Sequence, residues 1–325
     1  MFRRVLFSPS RVISDTNKTI ASILQGNLRI LKRISAYVVE SGGKRIRPLF
    51  MYYLARACGV DRREVIELGA LLEIVHAASL LHDDVIDGAE ERRSRPTGAK
   101  LFGNKQVVLG GDHLLSSGLR HLNGMQNYAY MTIFTDAIQA LSEAELLQMQ
   151  QHFNLKTSRR QHDRVVDGKT AALFRAAGAL VSVMQGERDF YRTETANLGL
   201  TLGRFFQERD DHLDYFDAAR LKKKGLQDFV NGIVTYPLQL LLAEASRAEL
   251  AEIRAEWEFA RLQGKIRKQE RILQLMGKYD VERRSVAELG KLQQQIFTGL
   301  ARLPEKRPRE IISTEFQKIL AVRSP

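Results

Sequence analysis

A stretch of 140 residues without proline, between Pro96 and Pro237, constrains the fold of this chain more than any other feature. The stretch is rich in Ala, Leu, Gln, Glu and Arg, and alternating strand patterns are scarce. Apolar residues recur every three or four positions in residues 65–86, 131–153 and 244–276. This pattern predicts an all-α chain of ten or more helices. No linker is evident, so we expect a single helical bundle domain over residues 1–325, with sites formed between helices that face one another.

Two acidic triplets with identical spacing follow apolar runs. The first is Asp83, Asp84 and Asp87, and the second is Asp210, Asp211 and Asp214. Half-buried carboxylates packed this closely have raised pKa values unless cations share the site. Oxygen ligands favour a hard cation, and Mg²⁺ completes its octahedron with water and substrate phosphates. The matched triplets therefore predict that the two groups face each other across a central cavity. There they would bind a phosphorylated substrate through metal ions. The alternative is two solvated acidic helix faces.

Basic residues occur in three places that suit phosphate binding. Two glycines precede Lys44 and Arg47 where a helix begins near Pro48, which favours close approach of an anion. Arg92 and Arg93 follow the first triplet, and His76 lies seven residues before Asp83 on about the same helix face. A solvated basic loop and a hydrogen-bonded core histidine are the simpler interpretations. Adjacent His82 and Asp83 also suggest a metal phosphohydrolase, which would leave the second triplet unexplained.

Composition and net charge indicate the class of protein, the partners it could bind and its compartment. The net charge is +12 and 44% of the residues are hydrophobic, which is typical of a globular protein with anionic partners. No stacking platform or helix-turn-helix pattern accompanies the cations, so a nucleic acid partner is not expected. An anionic membrane surface stays open as a peripheral partner. A single cysteine, Cys58, and the lack of an uninterrupted membrane-length apolar run predict a cytoplasmic protein.

Five ordered motifs resemble those of the trans-isoprenyl diphosphate (polyprenyl) synthases. They are Gly-Gly-Lys-Arg-Ile-Arg-Pro at 42–48, the first triplet with Arg92 and Arg93, Gly-Asp-His-Leu-Leu at 111–115, Lys-Thr-Ala at 169–171, and Phe-Gln-Glu-Arg-Asp-Asp-His-Leu-Asp at 206–214. The resemblance covers residues 30 to 240, and the last third of the chain matches only in being helical. It is most like the long-chain, octaprenyl-type enzymes. It implies the isoprenoid synthase fold, a homodimer, and head-to-tail prenyl transfer.

The resemblance also implies a role for each motif residue. The six aspartates would hold Mg²⁺, as three ions, on an allylic diphosphate such as farnesyl diphosphate. Lys169, Arg92 and Lys224 would cover that diphosphate, while Lys44, Arg47, His76 and Arg93 would bind isopentenyl diphosphate. Gln207 would lie along the cavity between the two substrates. The residues implied to be catalytic are Asp83, Asp84, Asp87, Lys169, Gln207, Asp210 and Asp211.

One position departs from the family pattern. After the second triplet the family has Asp, then Gly-Lys, then Thr-x-Pro, and here Ile233 occupies the lysine position between Gly232 and Thr235. Losing one charged contact to the leaving group costs about 3 kcal/mol, or roughly a hundredfold in rate. Three interpretations remain: the chain is a slow enzyme, it makes an unusual product, or it is a low-activity subunit of a heteromeric synthase. Lys222, Lys223 and Lys224 are candidates for compensation.

Small residues before the first triplet bear on product length. By the resemblance, this position forms the floor under the allylic tail, and helix geometry puts Ser79 one turn below Asp83 with Ala78 beside it. Both are small, which predicts a deep tunnel and a long all-trans product for quinone side chains. A shorter product, geranylgeranyl or farnesyl diphosphate, is the alternative. A class I terpene cyclase is disfavoured because it has no second diphosphate for residues 42–47 to bind.

Overall fold

The fold is built almost entirely from helices. The computed structural model describes residues 8–40, 43–92, 95–216 and 225–320. Within these ranges the strands Glu91–Arg92 and Arg95–Pro96 pair antiparallel, and the all-α prediction is confirmed. In chain order the α-helices are α1 (Pro9–Ile23), α2 (Arg29–Glu40), α3 (Ile46–Ala57), α4 (Glu64–Ile86), α5 (Gly98–Phe102), α6 (Asn104–Gly124), α7 (Tyr128–Gln151), α8 (Arg159–Val166), α9 (Ala172–Met184), α10 (Glu194–Phe216), α11 (Gln227–Val230), α12 (Tyr236–Glu244), α13 (Arg247–Gln263), α14 (Gln269–Lys278), α15 (Val281–Ala301) and α16 (Lys306–Leu320).

Local sequence explains where several helices begin and end. Pro9 starts α1 behind the Ser8 side chain, which accepts a hydrogen bond from the backbone of Arg11. A capping box of Ser246 and Glu249 starts α13, and Gly264 ends it in the left-handed conformation, with a φ of 60°. The periodic stretch 244–276 is therefore divided between α13 and α14.

The chain divides into two compact units. The first comprises Met1–Ile138, Leu173–Asn197 and Ala301–Thr314. The second comprises Gln139–Ala172, Leu198–Leu300 and Glu315–Pro325. The expectations of one domain and of a central cavity stay predictions.

Helix α4 is the centre of the first unit. It packs against α6, α3 and α1, and its middle turns from Leu68 to Val75 are buried on all sides. A helix that is apolar around its whole circumference belongs in a core. Among the described helices, α4 alone also has the length and composition needed to cross a membrane. Because 61% of its most apolar window is buried inside the fold, this is weak evidence for a membrane span.

Aromatic side chains form the core of the second unit. Trp257 of α13 lies edge-on to Phe229 and Phe153, with ring centroids 4.8 and 5.6 Å away. Between α8 and α9 the chain makes one π-helical turn, Asp167–Ala171. Helix α10 crosses this turn at Gly203, where an added Cβ would lie 2.4 Å from the Cα of Ala171. A glycine is therefore required for α10 to approach the π-helical turn.

Candidate active site

The first aspartate triplet lies at the C-terminal end of α4. Asp83 and Asp84 are in its last turn, and Asp87 is the C-cap residue. Asp84 is 2% exposed, and the Nε–H of Arg92 donates to its Oδ1 at 2.8 Å. Carboxylates at this end of a helix face the negative end of the helix dipole, so three of them together require cations. Arg92 supplies one such charge, from the first strand of the short hairpin.

His82 connects the first triplet to α6. Its Nε2–H donates to the carbonyl oxygen of Val108 at 3.1 Å, and the ring lies directly over Gly111. A Cβ at Gly111 would lie 2.3 Å from His82 Nε2, which explains the glycine in the Gly-Asp-His motif. The predicted importance of residues 111–115 thus has a packing basis. Among the described residues, neither His82 nor an aspartate of either triplet belongs to a group of three ligand atoms within 4.8 Å of one another, so the phosphohydrolase alternative gains no support.

Two of the predicted isopentenyl diphosphate residues, Lys44 and Arg47, lie at the start of α3, and His76 lies on α4. Lys44 is exposed, and Arg47 lies half-buried with its guanidinium 5.0 Å from the ring centre of Phe174. His76 is half-buried on α4, seven residues and about 10 Å along the axis from Asp83. Ala78 and Ser79 are on the same helix, so α4 carries both the predicted floor and the predicted metal ligands. Arg93 and Lys224 lie outside the described residues.

The second triplet lies inside α10 and has different surroundings. Asp210 is exposed, whereas Asp211 is 2% exposed. Asp211 Oδ1 accepts a hydrogen bond from Gln207 Nε2 at 2.8 Å, and Oδ2 lies 3.1 Å from His162 Nε2. Asp214 accepts the backbone N–H groups of Gln227 and Asp228, at 3.1 and 2.9 Å. The triplet therefore also fixes the start of α11.

A buried charged network supports Asp211 from α8. Arg159 donates to Glu208 at 2.5 Å and to Asp163 at 2.7 Å, and His162 is 6% exposed between them. Burial acts to lower the pKa of His162, but the surrounding carboxylates of Asp163, Asp211 and Glu208 outweigh it and raise that pKa to about 9. Burial raises the pKa of Glu208 to about 7. His162 is thus a cation that faces Asp211.

Lys169 lies in the π-helical turn. Its Nζ contacts Glu145 at 2.7 Å and Gln148 at 2.8 Å, both on α7. The next residue, Thr170, donates to Gln207 Oε1 at 2.5 Å, and Gln207 in turn donates to Asp211. The structure therefore links Gln207 to Asp211, and the predicted place of Gln207 along the cavity between the two substrates stays a prediction. Lys169 is paired with a carboxylate and an amide group of α7, both of which lie away from the aspartates of the triplet in sequence.

The donor sets fit hard divalent cations. Carboxylate oxygens dominate both triplets, and the carboxyl of Asp228 has a pKa well above its ordinary value. Burial is the main cause, followed by the charges of Asp211 and Asp214. This excess of negative charge is what a cation at the second triplet would neutralise. His162, Asp163 and Glu208 also offer atoms within 4.8 Å of one another, but Arg159 already pairs with both carboxylates there.

Sequence reasoning missed four residues that the structure places beside the candidate site. Glu73 and Arg45 form a buried pair next to Arg47, with Nη1 of Arg45 3.0 Å from Glu73 Oε2. His162 and Glu208 support Asp211. Glu208 and Arg45 lie inside motifs, and Glu73 is a charge in the middle of an apolar helix, which is a usable signal. Nothing in the sequence around His162 distinguishes it from a surface residue of α8.

Known proteins resemble the chain over most of its length. The model of the polyprenyl synthetase family matches residues 28–275. An octaprenyl diphosphate synthase of Haemophilus influenzae is 32% identical over 243 residues, which are 74% of each protein. A heptaprenyl diphosphate synthase component 2 of Bacillus subtilis is 27% identical, over 93% of this chain and 85% of its own length.

Solved structures give the same result. A decaprenyl diphosphate synthase from Rhodobacter capsulatus superposes with a TM-score of 0.87 and 31% identity, and 97% of each chain is covered. A polyprenyl synthase from Caulobacter crescentus CB15, complexed with calcium and isoprenyl diphosphate, has a TM-score of 0.85 and 27% identity. That comparison covers 99% of this chain and 100% of the other. The protein belongs to the polyprenyl synthetase family, and it is a prenyl diphosphate synthase.

Proposed function

We propose that the protein condenses isopentenyl diphosphate head-to-tail with an allylic diphosphate, such as farnesyl diphosphate, to give a long all-trans polyprenyl diphosphate. The observation that carries this proposal is the pair of buried aspartates, Asp84 and Asp211, each at the centre of an identically spaced triplet. Burying a carboxylate inside an acidic cluster costs folding free energy unless the charge is paired with a cation or coordinates a metal ion. The names of the long-chain relatives support the choice of product class.

The proposed roles follow the chemistry of an allylic diphosphate. Cleavage of its carbon–oxygen bond leaves a carbocation and a highly charged diphosphate. Mg²⁺ would be held by the six aspartates, and when bound it stabilises charge on that leaving group. Arg92 and Lys169 add fixed cations, and Gln207 keeps Asp211 oriented. The double bond of isopentenyl diphosphate, held by Lys44, Arg47 and His76, attacks the carbocation, and a proton passes to the departed diphosphate.

Excluding water is the remaining requirement, because water would convert the carbocation to an alcohol. Leu81 and Ala78, on the turn of α4 before Asp83 and Asp84, are buried, and Arg92 covers Asp84. Positions 93 and 224, which the family pattern assigns to the two diphosphates, lie outside the described residues. Their proposed roles rest on the resemblance alone.

The direct test is incubation with farnesyl diphosphate, labelled isopentenyl diphosphate and Mg²⁺, followed by sizing of the products. Elongated products in the octaprenyl range are expected, and excess EDTA should abolish them. Hydrolysed or cyclised farnesyl products would overturn the proposal. A geranylgeranyl product would retain the reaction and correct the chain length. A role of the product as a quinone side chain would require a long polyprenyl chain.

The floor of the tunnel is tested by one substitution. Ala78 is fully buried, and Ser79 satisfies its own hydroxyl by donating to the carbonyl oxygen of His76 at 2.9 Å. A phenylalanine at position 78 would place a ring one turn below the first triplet. We expect Ala78→Phe to shorten the product by several isoprene units, measured by mass spectrometry, and Ala78→Gly to leave it unchanged. Full-length product from Ala78→Phe would contradict the floor assignment.

A second candidate is a subunit that needs a partner chain for activity. Ile233 in place of the family lysine favours it, and so does the likeness to a relative that is named as a component. The same assay separates the two candidates, because a dependent subunit alone would give no elongated product. Six intact aspartates favour the autonomous enzyme.

We propose further that two copies assemble as a homodimer in the cytoplasm. Leu101, Val108 and Leu109 on α5 and α6 are 49%, 39% and 67% exposed, which is unusual for large apolar residues that lie this close together in sequence. Burial against a second copy would remove them from water. The net charge of +12 supports peripheral contact with anionic lipid. Sedimentation of Leu109→Lys should show monomer if this face is the dimer contact.

A further inference from the structure

Arg45 has an unusual position for an arginine. It is 5% exposed, it is the N-cap residue of α3, and its backbone is left-handed, with φ and ψ both 45°. A non-glycine residue in this conformation is strained, and burying a guanidinium removes its hydration. Both costs are tolerated only where the surroundings hold the residue firmly.

Three helices hold the Arg45 side chain. Its Nη1 donates to Glu73 Oε2 on α4 at 3.0 Å, and its Nε donates to Asn17 Oδ1 on α1 at 2.9 Å. Nη2 reaches the carbonyl oxygen of Val39 on α2 at 3.4 Å. The fork of the guanidinium thus joins α1, α2 and α4 to the first residue before α3.

Glu73 is shared by two arginines unequally. It is 5% exposed, and its second oxygen, Oε1, lies 3.7 Å from Arg47 Nη1, with no hydrogen-bond partner among the described residues. Arg45 is therefore the closer of the two counter-charges to Glu73, at 3.0 Å against 3.7 Å for Arg47. Lys44 and Arg47 flank Arg45 in sequence at one and two positions, so the strained residue sets the backbone course between them.

We propose that Arg45 and Glu73 are positioning residues that hold Lys44 and Arg47 in register for the diphosphate of isopentenyl diphosphate. This inference rests on the proposed function of the same site. Among the described residues, Arg45 and Glu73 contact neither aspartate triplet. Replacing the buried pair should therefore weaken the binding of isopentenyl diphosphate and leave that of the allylic substrate unchanged. The expected signature is a higher KM for isopentenyl diphosphate with an unchanged KM for the allylic substrate.

The test compares three variants of the full chain. Arg45→Gly/Glu73→Gln removes both charges and suits the left-handed backbone, so it should fold. Arg45→Lys keeps the charge but loses the fork. Arg56→Gln is the matched control, because Arg56 is a 7% exposed arginine of the same helix, paired with Asp61. Circular dichroism checks folding, and calorimetric titration with isopentenyl diphosphate in EDTA measures Kd directly.

We expect the double variant to raise the Kd and the KM for isopentenyl diphosphate about thirtyfold, because displacement of a binding group by about 1 Å has effects of this order. Arg45→Lys should recover part of the loss, and Arg56→Gln should stay within twofold of the wild type. Equal KM increases for both substrates, or a Kd within twofold of the wild type in the folded double variant, would overturn the inference. A wild type that binds isopentenyl diphosphate without elongating would overturn the proposed function instead.

Discussion

The two aspartate triplets have identical spacing but different support. Asp84, in the first unit, is held by one guanidinium, that of Arg92, whose side chain is 36% exposed. Asp211, in the second unit, is held by His162 and Gln207, and His162 is itself enclosed by Asp163 and Glu208. The third member differs as well. Asp87 ends α4 and is exposed, whereas Asp214 binds two backbone N–H groups of the following segment.

The difference shows that spacing specifies the ligands while the neighbouring helices specify their rigidity. A carboxylate with one partly exposed partner can turn toward a substrate-bound cation at little cost. A carboxylate inside a buried hydrogen-bond network is preorganised, and its loss leaves other charges without partners. We therefore expect the two triplets to be equally important for catalysis and unequally important for stability.

Replacing the central aspartates gives the largest effects. Asp84→Asn and Asp211→Asn should each lower kcat by roughly 10²–10³, because each removes charge that stabilises the leaving group. Asp211→Asn should also lower the free energy of unfolding by about 3 kcal/mol, since it removes a counter-charge of buried His162. Asp84→Asn should cost about 1 kcal/mol or less, because Arg92 is partly exposed. Labelled isopentenyl diphosphate gives the rates, and urea unfolding gives the stabilities.

Asp189→Asn is the control for both measurements, because Asp189 is a 67% exposed aspartate paired with Arg192. It should change neither rate nor stability. Equal stability losses at Asp84 and Asp211 would remove the distinction between the two triplets.

Two glycines test the packing beside the triplets. Gly203→Ala sets a Cβ 2.4 Å from backbone of the π-helical turn, and we expect a loss of about 2–3 kcal/mol in unfolding free energy. Gly111→Ala meets the His82 ring, a side chain, at 2.3 Å and should cost about 1 kcal/mol less. Gly124→Ala has nothing within 4 Å and should be neutral or slightly stabilising. A larger loss at Gly111 than at Gly203 would reverse the expected order.

The pKa of His162 gives the second unit a pH dependence. It is raised from an ordinary 6.5 to about 9, so the stability it contributes is complete below 6.5 and is lost as pH rises through 9. We expect the unfolding free energy to fall by about 1–3 kcal/mol between pH 7 and pH 9.5, in EDTA. His162→Gln should flatten this profile. Arg92→Gln should leave it unchanged, because the guanidinium does not titrate in this range.

The parts of the fold that could be predicted are the helices whose bounds are specified by their own local sequence. The absence of proline and the 3.6-residue period predict α4 and α7 nearly to their ends, because both signals are local. The division of residues 244–276 at Gly264 was not predicted, because the apolar period continues on both sides of it. The six aspartates and the basic segment could be proposed as site residues because the spacing within each group spans one helix or one turn.

The supporting residues were not predictable in the same way. His162 is 49 residues from Asp211, and Arg45 is 28 residues from Glu73. Contacts at such separations depend on how helices pack, which no local pattern specifies. Asp228 shows the same limit, because the high pKa of its carboxyl comes from burial and from charges that lie on α10. Candidate ligands could thus be proposed from local spacing in the sequence, and the groups that contact them could not.

The smallest effect is expected at Ile233, which occupies the family lysine position in the second unit. Its N–H donates to the carbonyl oxygen of Asp228 at 2.8 Å, so residue 233 belongs to the same turn as half-buried Asp228. A cation in this turn would reduce the repulsion among Asp228, Asp211 and Asp214. Ile233→Lys should therefore leave kcat unchanged or raise it up to about tenfold, measured with farnesyl and isopentenyl diphosphates. Ile233→Met controls for side-chain length without charge and should match the wild type. A large drop in kcat with lysine would contradict this expectation. It would mean that neighbouring groups already neutralise the second triplet, as His162 does for Asp211, and that a lysine at position 233 disturbs this arrangement.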